Sequence, residues 1–217
     1  MFPIRGFNYI PVRVPRHKIL KRLGYNSRSI EISGEMLAEV DGLIAQAADL
    51  IELRGVCLRT ALSLKESDAE APAVVEVVDT DVRFLSDKLY DFLSGSGEIL
   101  IMGITGGSRV TDEIKELQLE KKMTSAVVID AAASEIVDDG FDWIASLYSK
   151  ELVREGRVLS TRRFSAGYGD FDIRFQNDIH SLLDMERLGV SITESSMLLP
   201  EKSVTAIYGI TNGDNNE

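Results

Sequence analysis

Three short stretches decide the reading: Arg163-Phe164-Ser165-Ala166-Gly167-Tyr168, then Ile192-Thr193-Glu194-Ser195, then Leu199-Pro200-Glu201-Lys202-Ser203-Val204-Thr205-Ala206-Ile207-Tyr208. The first joins a planar cation, a flexible backbone point and an aromatic face, equipment that suits a small zwitterion carrying a flat ring. A guanidinium grips a carboxylate through two parallel hydrogen bonds. A glycine lets a ligand approach the main chain where a Cβ would block it. A tyrosine offers a stacking surface and one hydroxyl. A turn before a helix explains the same residues equally well. The third stretch enters a β-rich run, read as a strand from Ser203 to Ile210, with Tyr208 as a strand residue beside Ile207.

Upstream, the period of the apolar residues alternates between helix and strand. Pro15 to Leu23 reads as a short helix, since Pro15 suits a first turn and Gly24 a stop. Ser33 to Leu53 is a clear amphipathic helix capped by Ser33. Val56, Leu58, Thr60, Leu62 and Leu64 alternate as in a strand. Lys65 to Pro72 is a polar turn, Val74 to Val78 a short strand, and Phe84 to Leu93 a helix. Ile99 to Ile104 is a continuous apolar strand, as expected of one buried on both faces. Thr105-Gly106-Gly107-Ser108 leads into a helix from Arg109 to Glu120 and lacks the Lys-Ser/Thr of a P-loop, so a tight turn is the favoured reading over an anion cradle. Residues 123–155 read as one long helix capped by Thr124, or as two helices joined near Asp138-Asp139-Gly140. A helix from Phe175 to Leu188 and a strand from Val190 to Ile192 complete the pass. Strands and helices occur in runs without regular alternation, which predicts an α+β fold with a mainly antiparallel sheet. No repeat or linker divides the chain, so 1–217 is expected to be one unit, with an irregular segment at 1–31 and a disordered polar tail at 211–217.

The formal charge of −11 argues against nucleic acid and against an anionic membrane surface. No apolar run reaches the roughly 18 residues of a membrane span. Met1-Phe2-Pro3-Ile4-Arg5 has no apolar signal-peptide core, so a cytoplasmic address is expected. Cys57 is the only cysteine and reads as a small buried hydrophobe, and His17 and His180 share no metal-ligand spacing, so no metal site is expected.

The three stretches resemble the C-terminal activation domain of cobalamin-dependent methionine synthase, and more closely its short stand-alone versions. The resemblance is strong from about Arg162 to Ile210, fainter from Ile99 to Tyr148, and slight before that. It implies a curved, mainly antiparallel sheet flanked by helices. It also implies S-adenosylmethionine as ligand: Arg163 on the carboxylate, the backbone of Ala166, Gly167 and Tyr168 against the adenine or the amino-acid end, and Tyr208 touching the ligand. Glu194 would order the loop or accept from the ammonium. Full-length synthases have Pro-Ala-Cys-Pro after the tyrosine, whereas this chain has Gly169-Asp170-Phe171-Asp172.

In the family, two carboxylates one helical turn apart face the histidine released from cobalt. Here either Asp138 with Asp142 or Asp142 with Ser146 takes that partner-facing place, and the sequence alone does not choose. A solvated acidic face is the competing reading. The resemblance further implies cobalamin carried by a partner, either a cobalamin-binding domain or a core methionine synthase lacking its own activation domain, and an electron donor of flavodoxin-like or other type. On this reading the chain supports reductive methylation of oxidised cobalamin, as the activation component of a methyltransferase. Two rivals remain: a non-catalytic S-adenosylmethionine-binding scaffold or sensor, and an ordinary small-molecule methyltransferase, against which the missing glycine-rich loop and acceptor-activating base count. No catalytic residue is assigned.

Overall fold

In the computed structural model, residues 3–25 and 33–213 are described. In chain order the elements are β1 (Arg5–Phe7), α1 (Arg16–Arg22), α2 (Gly34–Leu50), β2 (Arg54–Lys65), β3 (Val74–Val77), β4 (Arg83–Leu85), α3 (Asp87–Leu93), β5 (Glu98–Thr105), α4 (Arg109–Leu119), α5 (Met123–Arg154), β6 (Arg157–Leu159), α6 (Gln176–Leu183), β7 (Ser191–Ile192), β8 (Leu198–Leu199) and β9 (Ser203–Asn212). The period-two pattern of 56–64 becomes β2, and the apolar run of 99–104 becomes β5. β5 is the spine of the sheet. It pairs antiparallel over eight residues with β2 on one side and with β9 on the other. The strand order is β4-β3-β2-β5-β9-β6, with β1 also on β2, and every pairing is antiparallel. The α+β expectation holds.

Alternation along the strands sorts side chains into two cores. Cys57, Leu100, Met102, Ala206 and Tyr208 face α1, α2, α4 and α5. Val56, Leu58, Ile99, Ile101 and Ile207 face α3, α6 and the segment around Ala166 and Phe171. Burial of each large aliphatic side chain contributes roughly 1.5–3 kcal/mol. Cys57 is fully buried and donates to the Tyr148 hydroxyl at 3.1 Å, and burial pushes its thiol up to about 11.

α5 is one unbroken helix of 32 residues. Gly140 does not break it: the residue is buried against Ile104 of β5 and Leu53, 3.5 Å from where a Cβ would sit, in ordinary contact. Its N-cap is Lys122, without a side-chain cap, rather than Thr124. The helix expected from Phe84 starts later, at Asp87, because Ser86 caps it through the Leu89 amide, while Phe84 belongs to β4 and packs edge-on against Phe171 and Phe175. The helix expected over 175–188 is split. Asp184 takes a left-handed turn at φ 49°, and a 3-10 turn over Met185–Leu188 follows, which lets both Leu183 and Met185 reach the core. Residues 211 and 212, expected in a tail, finish β9; 214–217 lie outside the described residues, as does 26–31 of the irregular N-terminal segment, which otherwise contains β1 as well as the expected α1. Among the described residues no helix is long and apolar enough to cross a membrane.

Candidate ligand-binding site

β9 has β5 along one side, but β6 covers only Arg157–Leu159 against residues 210–212 of the other side. Phe164 adds a single bridge at Ile207. The Ser203–Thr205 end of β9 is therefore left without a strand partner on that side. There, between the Arg163–Tyr168 loop, the start of α6 and the β7–β8 hairpin, lies a cavity of about 810 Å³. That is within the roughly 300–1,000 Å³ of small-molecule sites.

One end of the cavity is charged. Arg163 places Nη2 2.6 Å from Asp138 Oδ1 and Nη1 3.8 Å from Asp142 Oδ1, with its guanidinium 4.7 Å from the centre of the Phe141 ring. Burial works to lower the pKa of Arg163, but hydrogen bonding to Tyr208 and the charges of Asp138 and Asp142 outweigh it and leave it raised. Asp138 is half-buried, and burial pushes its carboxyl above the ordinary value even though Arg163 pulls the other way. The cation is thus partly paired and faces a cavity.

The rest of the wall is mostly neutral and polar, with one further carboxylate, Glu201. Gln176, the first residue of α6, is 5% exposed, and its amide meets the Thr205 hydroxyl from both ends: Nε2 lies 2.7 Å from Oγ1, and Oγ1 lies 3.0 Å from Oε1. Ser203 donates to Thr105 at 2.9 Å, and Asn177 donates to Ser196 at 2.8 Å. Phe164, Ala166 and Leu198 supply apolar wall, and Tyr168, Ile173 and Met197 form an exposed rim.

The loop carrying Arg163 is braced from several sides. Gly167 has φ +89°, a left-handed conformation, and a Cβ would press on Ile173 at 3.3 Å. Its amide donates to Phe171 at 2.7 Å, and Ser165 donates to the Thr205 carbonyl at 2.7 Å. Asp170, where the sequence departs from full-length synthases, accepts from Ser86 Oγ at 2.5 Å and from the Asp87 amide at 2.9 Å, joining the loop to the start of α3. Burial opposes its ionisation, but these hydrogen bonds hold its carboxyl below the usual range.

The structure brings Arg163, Ala166, Tyr168 and Asp138 together on the cavity wall. Gly167 shapes the loop. Tyr208 is 4% exposed and stands on the α5 face of β9, where its oxygen accepts from Arg163. Glu194 is exposed in the turn between β7 and β8, outside the lining. Asp142 is 58% exposed and lies 3.4 Å from Lys18, and Ser146, one turn on, gives its hydroxyl to the Trp143 carbonyl. Of the two registers, Asp138 with Asp142 is the one whose two members both face Arg163. Sequence reasoning missed Gln176, Thr205 and the serines. The strand alternation that sets Thr205 opposite Tyr208 was the available signal, but which helix covers that face was not legible. The Thr105–Ser108 turn is a tight turn: the Gly106 amide donates to Lys202 and the Gly107 amide to Thr105 Oγ1.

These features define a class: an α+β domain with an antiparallel sheet and a cavity of small-molecule size at an unpaired strand edge. No family model matches the chain, and no curated protein does either. Among solved structures it is similar to the MetH reactivation domain bound to AdoHcy, with a TM-score of 0.60 and 16% identity over 99% of this chain and 80% of that one. The chain therefore has the fold of a methionine synthase reactivation domain.

Proposed function

We propose that the cavity binds S-adenosylmethionine and that the chain supports reductive methylation of cobalamin held by a separate corrinoid protein. The observation that carries this reading is a cavity of suitable size whose wall carries the partly paired Arg163 guanidinium together with neutral polar and apolar side chains, which suits a ligand with a zwitterionic amino acid and a flat ring. The structural neighbour, which was solved with AdoHcy, supports it. Arg163 would hold the carboxylate through its remaining N–H donors, since only part of its fork is engaged by Asp138. The backbone at Ala166 to Tyr168 would border the nucleoside. Tyr208 would steady Arg163 from behind, and Glu194 would order the β7–β8 turn. The bound sulfonium supplies the methyl group; the protein binds, orients and shields it. Asp142, exposed beside Arg163 and Lys18, is the residue placed to meet a partner's cationic group, with Asp138 behind it and Ser146 one turn on.

The whole chain would act as a single unit in the cytoplasm, as the activation component of a methyltransferase, with a core synthase or another cobalamin-binding protein and a flavodoxin-like or other reductant as partners. The test is spectroscopic. A corrinoid protein in the cob(II)alamin state, mixed with this chain, reductant and S-adenosylmethionine, should convert to methylcobalamin, and omission of the chain should stop the conversion. Tight ligand binding without conversion by any corrinoid protein would leave the sensor reading instead.

A further inference from the structure

Resting on the reading of the cavity as an adenosyl site, we propose that the free main-chain edge of β9, the Ser203 carbonyl with the Thr205 N–H, reads the adenine base of the ligand. Phe164 exchanges both backbone hydrogen bonds with Ile207, at 2.9 and 2.8 Å, on the side of β9 away from β5. The Gly209 carbonyl accepts from Ser160 on that same side, and the Lys202 carbonyl accepts from Gly106 on the β5 side. Main-chain groups of an antiparallel strand alternate between its two neighbours. Ser203 and Thr205, in step with Ile207 and Gly209, therefore point theirs away from β5. The Thr205 carbonyl accepts there from Ser165 Oγ at 2.7 Å. The Thr205 N–H and the Ser203 carbonyl have no partner among the described residues. Thr205 is 2% exposed, Ser203 is 9% exposed, and both line the cavity. A buried main-chain donor without a partner is rare and costly, and a ligand that supplies the partner recovers that cost.

The carbonyl of one residue and the N–H two residues on give a strand edge one acceptor and one donor facing the same way. Adenine presents the complement, an N6–H donor with a ring-nitrogen acceptor, N1 or N7, on either side of it. The N6–H donates to the Ser203 carbonyl, and one ring nitrogen accepts from the Thr205 N–H. Arg163 fixes the direction of the ligand. It bonds to Tyr208, three residues along β9 from Thr205 and five from Ser203. At about 3.3 Å per residue the free edge lies roughly 10–17 Å along the strand from that contact, the scale of an extended adenosyl amino acid. With the carboxylate at Arg163, the base therefore reaches this edge. Phe164, Ala166 and Leu198 add apolar surface suited to a ring face. The Gln176 amide closes onto the Thr205 hydroxyl with both its oxygen and its nitrogen, so it fixes the Thr205 side chain and leaves the reading of the base to the main chain. A 6-oxo base such as hypoxanthine sets its O6 acceptor against the Ser203 carbonyl and is rejected.

The probes are S-adenosylhomocysteine, its 1-deaza and 7-deaza forms, and S-inosylhomocysteine, titrated into the intact chain by calorimetry. The inosine ligand should bind roughly five- to over a hundredfold more weakly than the adenine ligand, the range for buried hydrogen-bonding groups left unmatched. One deaza form should lose roughly fivefold or more and the other stay within about twofold, because the Thr205 N–H meets a single ring nitrogen. In a proton–nitrogen correlation spectrum the Thr205 amide proton should move downfield with S-adenosylhomocysteine and not with the deaza form that loses affinity. Thr205→Pro removes this N–H from the edge that the ladder to β5 does not use. It should cancel the deaza penalty, whereas Thr205→Val, which keeps the N–H and loses only the hydroxyl, should retain it. If Thr205→Pro fails to fold, the ligand series and the Thr205 amide signal decide. Equal binding of the adenine and inosine ligands, or no penalty in either deaza form, overturns the proposal while leaving the adenosyl site standing. A Thr205 amide signal unmoved at saturation, or a full deaza penalty in Thr205→Pro, also overturns it. Binding of none of the probes by the unaltered chain overturns both this proposal and the reading of the cavity.

Discussion

Two arginines flank the same sheet, and α5 reaches both. Arg59 on β2 has a side chain only 10% exposed. It donates Nε to Glu98 at 2.6 Å and forks onto Glu155 just past the end of α5 at 3.0 and 2.6 Å; Arg157 in turn holds Glu98 at 2.5 Å. Arg163, beside the middle of α5, has one close carboxylate, a second at 3.8 Å, an aromatic ring at 4.7 Å and a cavity. Hydrogen bonds donated to Glu155 and Glu98 raise the pKa of Arg59, and Glu98 is held low by its two arginines against the cost of its burial. The first cation is engaged on several sides by protein carboxylates, which is how a fold joins a strand to a helix end. The second is held in position with part of its fork facing a cavity, which is how a site keeps capacity for a ligand.

Substitution should separate the two. Arg163→Ala should weaken S-adenosylhomocysteine binding by roughly tenfold to over a hundredfold, about 1.5–3 kcal/mol, with Arg163→Lys recovering only part because an ammonium lacks the fork. Calorimetry giving unaltered affinity for Arg163→Ala would take Arg163 out of the site. Arg59→Met should behave in the opposite sense. It should lower stability by about 1–3 kcal/mol, because Glu98 is left in a half-buried place with less pairing, while ligand affinity stays within about twofold. Denaturant melts report the first quantity and titration the second. A large affinity loss in Arg59→Met would mean that the C-terminal end of α5 is coupled to its middle.

The loop that presents Arg163 is tied down by Asp170, and this tie depends on pH. The carboxyl of Asp170 has a folded-state pKa below its unfolded value. The unfolded state therefore binds the proton more readily, so the stabilisation is present above the unfolded pKa of about 4 and is lost as pH falls through the folded value. Asp170→Asn should lower stability at neutral pH by about 0.5–2 kcal/mol, as for loss of a helix cap. It should also flatten the acid limb of thermal melting recorded between pH 6 and pH 2. An acid limb as steep as that of the unaltered chain would show that other carboxylates govern it. The smallest effect is expected at Gly140, midway along the helix that serves both arginines. Gly140→Ala has room for its Cβ and removes a helix glycine, so it should be neutral to stabilising by up to about 1 kcal/mol, with ligand affinity unchanged. A clear loss in melting temperature would show that the α5–sheet contact is tighter than its 3.5 Å approach implies.

Elements with a long periodic pattern were legible in the sequence. α2, β2, β5, α4 and β9 stand within a few residues of where apolar spacing puts them, because each buries a whole face. The three-residue strands β1, β4 and β6 were not, since two or three side chains hold no measurable period and their pairing partners lie far away in sequence. Asp184 misled for a related reason. A run with helical spacing on both sides of it is broken by a single left-handed residue that only the packing of Leu183 and Met185 makes worthwhile.

The sequence by itself determined the class of fold and the Arg163–Tyr168 stretch, and it offered Asp138, Asp142 and Ser146 at one-turn spacing without choosing the pair, because spacing along a helix or strand is a local property of the chain. The tertiary structure decided what these residues face. It turned Asp138 toward Arg163 across 25 positions of sequence, and it set Gln176 against Thr205 across 29. It also left the Ser203–Thr205 edge of β9 without a strand partner so that a cavity forms there. Such contacts depend on how the helices and loops close over the two faces of the sheet, and periodicity within any one segment carries no record of that.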